Sequence, residues 1–245
     1  METLLMITAA VLWGCGTGLL IPRPAYRFSV PAEELWRTTC PAGHPLTDTG
    51  TGSGWFGYAR CVAGDVYGPS TGAVASITTA VCVALVVVTG VRPEVVVWLL
   101  LAPPAVLLAT VDFRAHRLPD ALTLPLAAAA IVLLGIAAMM PRASGSWPSA
   151  VLGSLILGAC YFVLFLISKG FGFGDVKLAL VLGAVLGWHG WPIVLIGTFA
   201  GYLFGALYGI GLMLAGRADH TSRIPFGPFL LVGTLAGVLL GSHAS

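Results

Sequence analysis

Apolar runs close to membrane-crossing length follow one another along almost the whole chain, separated by short polar breaks, and this alternation predicts a helical bundle. A helix needs roughly 20 apolar residues to cross about 30 Å of hydrocarbon. Eight stretches approach that length, at about 3 to 21, 72 to 90, 95 to 111, 121 to 140, 149 to 168, 175 to 188, 191 to 214 and 226 to 242. The sixth is short, about 14 residues or roughly 21 Å, so it either tilts inward or borrows length from the Gly-rich run before it. Between the first two runs lies one sizeable polar segment, 22–71, rich in Pro, Gly, Ser and Thr and too poor in apolar periodicity to predict a core of its own. The expected architecture is all-α and polytopic, with a first transmembrane helix over 1–21, a polar loop over 22–71 and a membrane core of helices over 72–242.

Composition turns this pattern into a statement about solvent. With 58% hydrophobic and 9% charged residues in 245, the chain has too much apolar surface to bury inside a water-soluble domain, so the lipid bilayer is its expected partner. The net charge of +2, without a basic run or basic–aromatic interleaving, argues against nucleic acid.

The placement of charge orients the bundle. Glu2 stands where a signal peptide would carry basic residues, and Arg23 and Arg27 follow the first apolar run, which predicts a retained anchor with its N-terminus outside. Eight spans then leave inner connections at 22–71, 112–120, 169–174 and 215–225. These and their margins hold Arg23, Arg27, Arg37, Arg60, Arg114, Arg117, Lys169, Lys177, Arg217 and Arg223, against Arg92 and Arg142 outside. Trp188 and Trp191, bracketing a short turn, are expected at the outer interface, where indole rings prefer to sit.

Acids are scarce, ten Asp and Glu in all, and two of them stand at the inner edges of apolar runs: Asp112 in Ala-Thr-Val-Asp-Phe-Arg and Asp175 in Gly-Phe-Gly-Phe-Gly-Asp-Val-Lys. A carboxylate at the bilayer centre costs about 2.5 kcal/mol or more, so acids at membrane segments point to function. An acid opening a helix also caps it, and that reading stays open for Asp175. Asp120, after Pro119 and before the fourth run, reads first as an N-cap. Lys177 either snorkels to the interface or meets the aspartates. Pro103 and Pro104 are expected to interrupt and kink the third run. Gly197, Gly201, Gly205 and Gly209 recur every four residues, on one helix face suited to close packing.

Asp112, followed by Pro119-Asp120 and Leu122-Thr123-Leu124-Pro125, together with Gly172-Phe173-Gly174-Asp175-Val176-Lys177-Leu178, resembles the bacterial prepilin peptidases, intramembrane aspartyl proteases of the GxGD type. The resemblance is sharp over these two blocks. It implies removal of the basic leader from type IV prepilins or pseudopilins at the cytoplasmic face of the cell membrane. Asp112 and Asp175 would be the catalytic pair, supported by Gly172, Gly174, Lys177 and Asp120. Gly170, Gly172 and Gly174 would let an extended substrate strand approach the backbone. Cleavage by two carboxyls requires no cofactor.

In many such peptidases the polar loop resembles a small zinc-bearing domain with two Cys-x-x-Cys pairs. Here the matching stretches are Cys40-Pro41-Ala42-Gly43 and Cys61-Val62-Ala63-Gly64. Cys40, Cys61 and His44 offer at most three ligands where a closed structural site takes four, so no metal is expected. Bifunctional relatives also N-methylate the trimmed substrate with S-adenosylmethionine, which would be needed here only if that activity is retained, and the altered loop argues against it. Cys15, Cys82 and Cys160 read as small apolar fillers, and no disulfide framework is expected. A proton- or cation-coupled transporter using the same aspartates is the alternative class. Its acids belong near the midplane, and these lie at the inner edge. A purely structural membrane protein would need neither.

Overall fold

The computed structural model describes residues 2–31, 34–46, 54–55, 58–168, 172–217 and 225–244. Among them the chain forms the helices α1 (Glu2–Leu20), α2 (Pro22–Phe28), α3 (Thr71–Thr89), α4 (Glu94–Ala115), α5 (Asp120–Ala138), α6 (Trp147–Ile167), α7 (Phe173–Trp188), α8 (Trp191–Leu214) and α9 (Gly227–Ala244). Extended structure among the described residues is confined to two isolated bridges, Thr39 with Pro45 and Arg60 with Val66.

Every one of the eight apolar runs is a helix, and α2 is the addition. By length and composition six segments can cross a membrane: Glu2–Phe28, Thr71–Thr89, Glu94–Ala115, Asp120–Ala138, Trp147–Ile167 and Trp191–Leu214. Helices α7 and α9 are the shorter apolar pair. The protein is an all-α, multi-pass membrane protein. The expected break at Pro103 and Pro104 does not occur, because α4 runs unbroken through both over 22 residues. Membrane helices tolerate internal proline where neighbours and local adjustment satisfy the freed carbonyls.

The chain divides into two compact units, the first Met1–Val91 with Trp98–Arg117, the second Arg92–Val97 with Leu118–Ser245. In the first, α1 packs on α3 through Gly14 and Gly18. A Cβ at either glycine would lie 2.7 Å from the Cα of Thr79 or Ala75, closer than any real contact. Small residues at this spacing let two backbones approach in lipid. The Trp13 indole donates to the Leu99 carbonyl at 2.7 Å, tying α1 to α4.

The polar segment has the core that its pattern did not predict. Tyr26, Cys40, Leu46, Ala59, Cys61 and Tyr67 form a buried cluster. Arg23 and Arg27 of α2, read from sequence only as inner-side charges, are buried as well. Arg23 donates to the Leu46 carbonyl, and Arg27 to that of Gly54 at 3.1 Å with its guanidinium 3.9 Å from the Trp55 ring centre. Phe28, Trp36 and Trp55 stack edge and face around it, with centroids 5.1 to 5.5 Å apart. A core of aromatic rings and hydrogen-bonded arginines has no period of two or 3.6, so periodicity does not reveal it.

In the second unit α7 is the central element, packed on α5, α6, α8 and α9. It buries nearly every residue from Val176 to Trp188. The α6 contact is backbone on backbone: a Cβ at Gly153 would meet the Gly183 carbonyl oxygen at 2.4 Å, and one at Gly183 would meet that of Gly153 at 2.2 Å. The glycine face of α8 behaves as expected, with Gly197, Gly201 and Gly205 buried and set closely against α9 or the residues leading into it. The two tryptophans expected at the interface part company. Trp191 is partly exposed, whereas Trp188 is buried against Gly145, with its carbonyl accepting the Ser146 N–H at 3.0 Å. Its indole therefore fills the protein core and does not anchor in lipid headgroups.

Candidate active site

Asp112 sits in the last turn of α4 in the first unit, and its side chain is buried. The helix stops one turn later. The His116 N–H still reaches the Asp112 carbonyl at 2.8 Å, but His116 itself adopts φ 50°, a left-handed conformation that ends the α-helix. Two arginines just beyond the acid fix this end to the polar segment, Arg114 donating to the Gly68 carbonyl at 3.3 Å and Arg117 to that of Pro31 at 2.8 Å. The basic residues that follow the aspartate thus tether the helix end that carries it.

Asp175 belongs to the second unit, in the first turn of α7, with Gly172 as N-cap. Its Oδ2 accepts the Gly172 N–H at 3.1 Å, and its own N–H donates to the Gly172 carbonyl at 3.0 Å. The capping reading therefore holds through Oδ2, and among the described residues this hydrogen bond does not involve Oδ1. The glycines differ in use. A Cβ at Gly174 would press on Leu118 at 3.0 Å, whereas one at Gly172 would meet the Asp175 carboxylate and the Gly174 nitrogen at ordinary contact distances, 3.5 and 3.9 Å. Gly174 is thus required by packing, whereas among the described residues Gly172 is not crowded. Lys169, Gly170 and Arg223 lie outside the described residues.

Asp120 is not the N-cap of α5. Pro119 holds that position, and Asp120 is the first helical residue, with no side-chain cap. Its carboxylate instead pairs with Lys177 at 2.5 Å, while the ammonium lies 4.5 Å from the Phe173 ring centre. Lys177 is only 13% exposed, so its partner is an aspartate of the same unit and it does not snorkel. Together with Leu118 on Gly174, this pair clasps the start of α5 to the start of α7. Two tyrosines that no motif singles out complete the surroundings. Tyr161 of α6 and Tyr202 of α8 stack with centroids 6.2 Å apart, within electrostatic reach of Asp175. A tyrosine inside an apolar run carries no signal of its own, and only the fold brings these two together.

The polar segment gathers a second constellation. Cys40 Sγ lies 2.9 Å from Cys61 Sγ, and His44 Nδ1 lies 3.0 Å from Cys61 Sγ and 3.7 Å from Cys40 Sγ. The Cys61 thiol foremost, against burial and aided by the backbone N–H groups of His44 and Ala42, holds Cys40 at about 7, below the ordinary thiol value; the same partnership raises Cys61. An ion at about 2.0 to 2.3 Å from each donor, the usual zinc–nitrogen and zinc–sulfur lengths, fits above the plane of this triangle once the sulfurs part by about 1 Å. The three residues therefore fit a zinc ion, although a four-thiolate set is absent. The remaining cysteines take no part: Cys82 is buried, while Cys15 and Cys160 are exposed on the helix surfaces.

Residues 95–210 match the type IV leader peptidase family. The chain is 37% identical over 145 residues to a prepilin leader peptidase/N-methyltransferase of Aeromonas salmonicida, covering 58% of this chain and 48% of that protein. A protein of the same description from Aeromonas hydrophila is 37% identical over 148 residues, covering 58% and 49%. One from Pseudomonas aeruginosa is 31% identical over 142 residues, covering 56% and 46%. The matches thus span about half the length of these relatives. No solved structure matches the chain.

Proposed function

We propose that this chain, whose residues 95–210 carry a type IV leader peptidase domain, is an aspartyl endopeptidase that removes the leader of prepilin-like or pseudopilin substrates at the cytoplasmic face of the cell membrane. One observation carries the reading: Asp112 and Asp175 both fall inside the matched segment, one closing α4 and the other opening α7. Helices α5 and α6, each long enough to cross, intervene in sequence, and two crossings return the chain to the face it left. Positive residues concentrate at the connections on that side, which supports a cytoplasmic site and an outside N-terminus.

Two carboxyls that work together do not both ionise easily and share a proton. One takes a proton from the attacking water, and the other, protonated, polarises the scissile carbonyl. Titration belongs to the pair, so neither role attaches to one residue. The chain's own scaffold does the positioning. The Gly172 N–H orients the Asp175 carboxylate, the Asp120–Lys177 pair sets the start of its helix, and Gly172, uncrowded among the described residues, suits the approach of an extended substrate strand. Zinc, where Cys40, His44 and Cys61 hold it, would stiffen the polar segment and supplies no step of the cleavage. N-methylation with S-adenosylmethionine is not part of the proposed activity.

The test is leader removal from a candidate prepilin by the full chain in liposomes. Asp112→Asn and Asp175→Asn are each expected to slow cleavage by about 10² to 10⁴ fold, the usual contribution of general acid–base catalysis. Wild-type rates in both variants would sink the proposal. A labelled methyl donor in the same reaction is expected to leave the product unlabelled.

A further inference from the structure

We infer that Tyr161 and Tyr202 are positioning residues for Asp175: the two phenols, set one against the other beside the opening turn of α7, favour the ionised form of its carboxyl and fix its orientation. Their role in catalysis rests on the peptidase reading above. Their placement rests on packing within the second unit alone.

Helices α6 and α7 run antiparallel in a register that their close contacts record. A Cβ at Gly187 would lie 2.6 Å from the Ser149 carbonyl oxygen, one at Gly158 would lie 2.4 Å from Leu180 Cδ2, and the rings of Phe165 and Phe173 have centroids 5.5 Å apart. Followed along the same register, Tyr161 stands level with residues 175–177, the turn that carries Asp175. It also belongs to the buried face of α6, with Gly153, Leu157 and Gly158, and is only 2% exposed. The next residue, Phe162, is 45% exposed on the helix surface. A hydroxyl buried in an apolar bundle carries a desolvation cost that phenylalanine at the same place would avoid.

Tyr202 is brought to Tyr161 from α8. Its ring centroid lies 6.2 Å from that of Tyr161 and 5.1 Å from that of Phe226, the residue before α9. The glycines on either side of it permit this approach, since a Cβ at Gly201 would meet Leu230, and one at Gly205 would meet Phe226, at 3.1 Å. The phenols interact with one another and with the charge of Asp175. Among the described residues, the other titratable groups around this turn are engaged elsewhere or carry no charge. Lys177 pairs with Asp120 of α5, and Cys160 of α6 lies within electrostatic reach of Tyr202. Tyr208, further along α8, stacks on Phe229 with centroids 4.9 Å apart, and α9 opens without a charged side chain. A hydroxyl directed at a carboxyl, or at a water that the carboxyl holds, favours the ionised form. That is the form in which an acid of the pair takes a proton from water.

The experiment treats the full chain in liposomes with a hydrophobic carbodiimide, which reacts with protonated carboxyls, and follows labelling of Asp175 against pH by mass spectrometry. Asp112→Asn is present in every labelled sample, so that Asp175 titrates alone. Tyr161→Phe and Tyr202→Phe keep the rings, and helical circular dichroism confirms that each variant is folded. Each is expected to raise the pH midpoint of labelling by about half a unit to one unit, because a group favouring the ionised form is lost. With Asp112 restored, each is expected to lower kcat for leader removal about tenfold and leave KM within about twofold, since the phenols act on the acid and not on the substrate. Tyr208→Phe is expected to match the wild type in both measurements. Unmoved midpoints in Tyr161→Phe and Tyr202→Phe overturn the inference whether or not a prepilin is cleaved, and even if cleavage falls, since the tyrosines would then be merely structural. An equal shift in Tyr208→Phe overturns it as well. Shifted midpoints in a chain that cleaves no prepilin would support the coupling of the phenols to Asp175 and sink the peptidase reading instead.

Discussion

Two regions of this protein reach burial by opposite means. Around α7 the helices close on one another through absent side chains, Gly153 against Gly183 and Gly197 against Gly233, so backbone meets backbone. In the polar segment the core is made by what side chains bring: guanidinium groups on carbonyls, indoles on phenyl rings, sulfurs on an imidazole. The first kind of core excludes a single added atom. The second tolerates added atoms but depends on each polar partner being present.

Glycine substitutions in the helical core test that contrast hardest. Gly183→Ala places a Cβ 2.2 Å from the Gly153 carbonyl oxygen, which no rotamer relieves, and is expected to destabilise the fold by about 3 kcal/mol. Thermal denaturation in detergent reads this, and an unchanged midpoint would mean that α6 and α7 do not pack as described. In the polar segment the matching experiment removes a partner. Arg23→Met keeps the bulk but leaves the Leu46 carbonyl unpaired, with an expected cost of about 2 kcal/mol, seen as faster proteolysis between residues 29 and 70. If proteolysis does not change, the arginine is not what holds that core.

Smaller effects sharpen the boundary between the two regimes. Lys177→Met should leave overall stability within about 1 kcal/mol, since Asp120 is 64% exposed and water screens the pair. Cleavage is nevertheless expected to fall about tenfold, because small misplacement of a reacting group is costly. The reversed pair, Asp120→Lys with Lys177→Asp, should recover much of the rate, and no recovery would show that the lysine does not act through Asp120. The least perturbing change is Gly211→Ala in α8, where no described atom beyond the helix's own backbone and its chain neighbours lies within 4 Å of the added Cβ. It should stabilise the helix by about 0.5 to 1 kcal/mol, measured by the same denaturation.

These regimes also explain what was legible in the chain. The long helices were, because an apolar run of membrane length has few other fates, and the observed ends fall within a few residues of the expected ones. Helix α2 was not, since Pro-Arg-Pro-Ala-Tyr-Arg-Phe carries no helical period and its arginines are buried by partners far along the chain. Asp112 and Asp175 stood out because acid is rare beside lipid. The Asp120–Lys177 pair did not, because its halves lie 57 residues apart and each had a sufficient local explanation. The Cys40–His44–Cys61 set was visible as three residue types, yet its convergence depends on two turns in which the cysteine N–H donates to the carbonyl four residues on, His44 in one and Asp65 in the other. Trp188 and Trp191 show the same limit: one residue type, three positions apart, one in the core and one at the surface.

The enclosure of α7 bears on how the protein is made. At 16 residues it measures about 24 Å, less than a hydrocarbon core, and it opens with Asp175 and Lys177. Such a segment gains little from entering lipid alone. Its glycines Gly183 and Gly187 are shaped to lie on α6, which emerges from the ribosome just before it. Helix α7 should therefore enter the bilayer as a passenger on α6, and α8 and α9, which also pack on it, complete its enclosure afterwards.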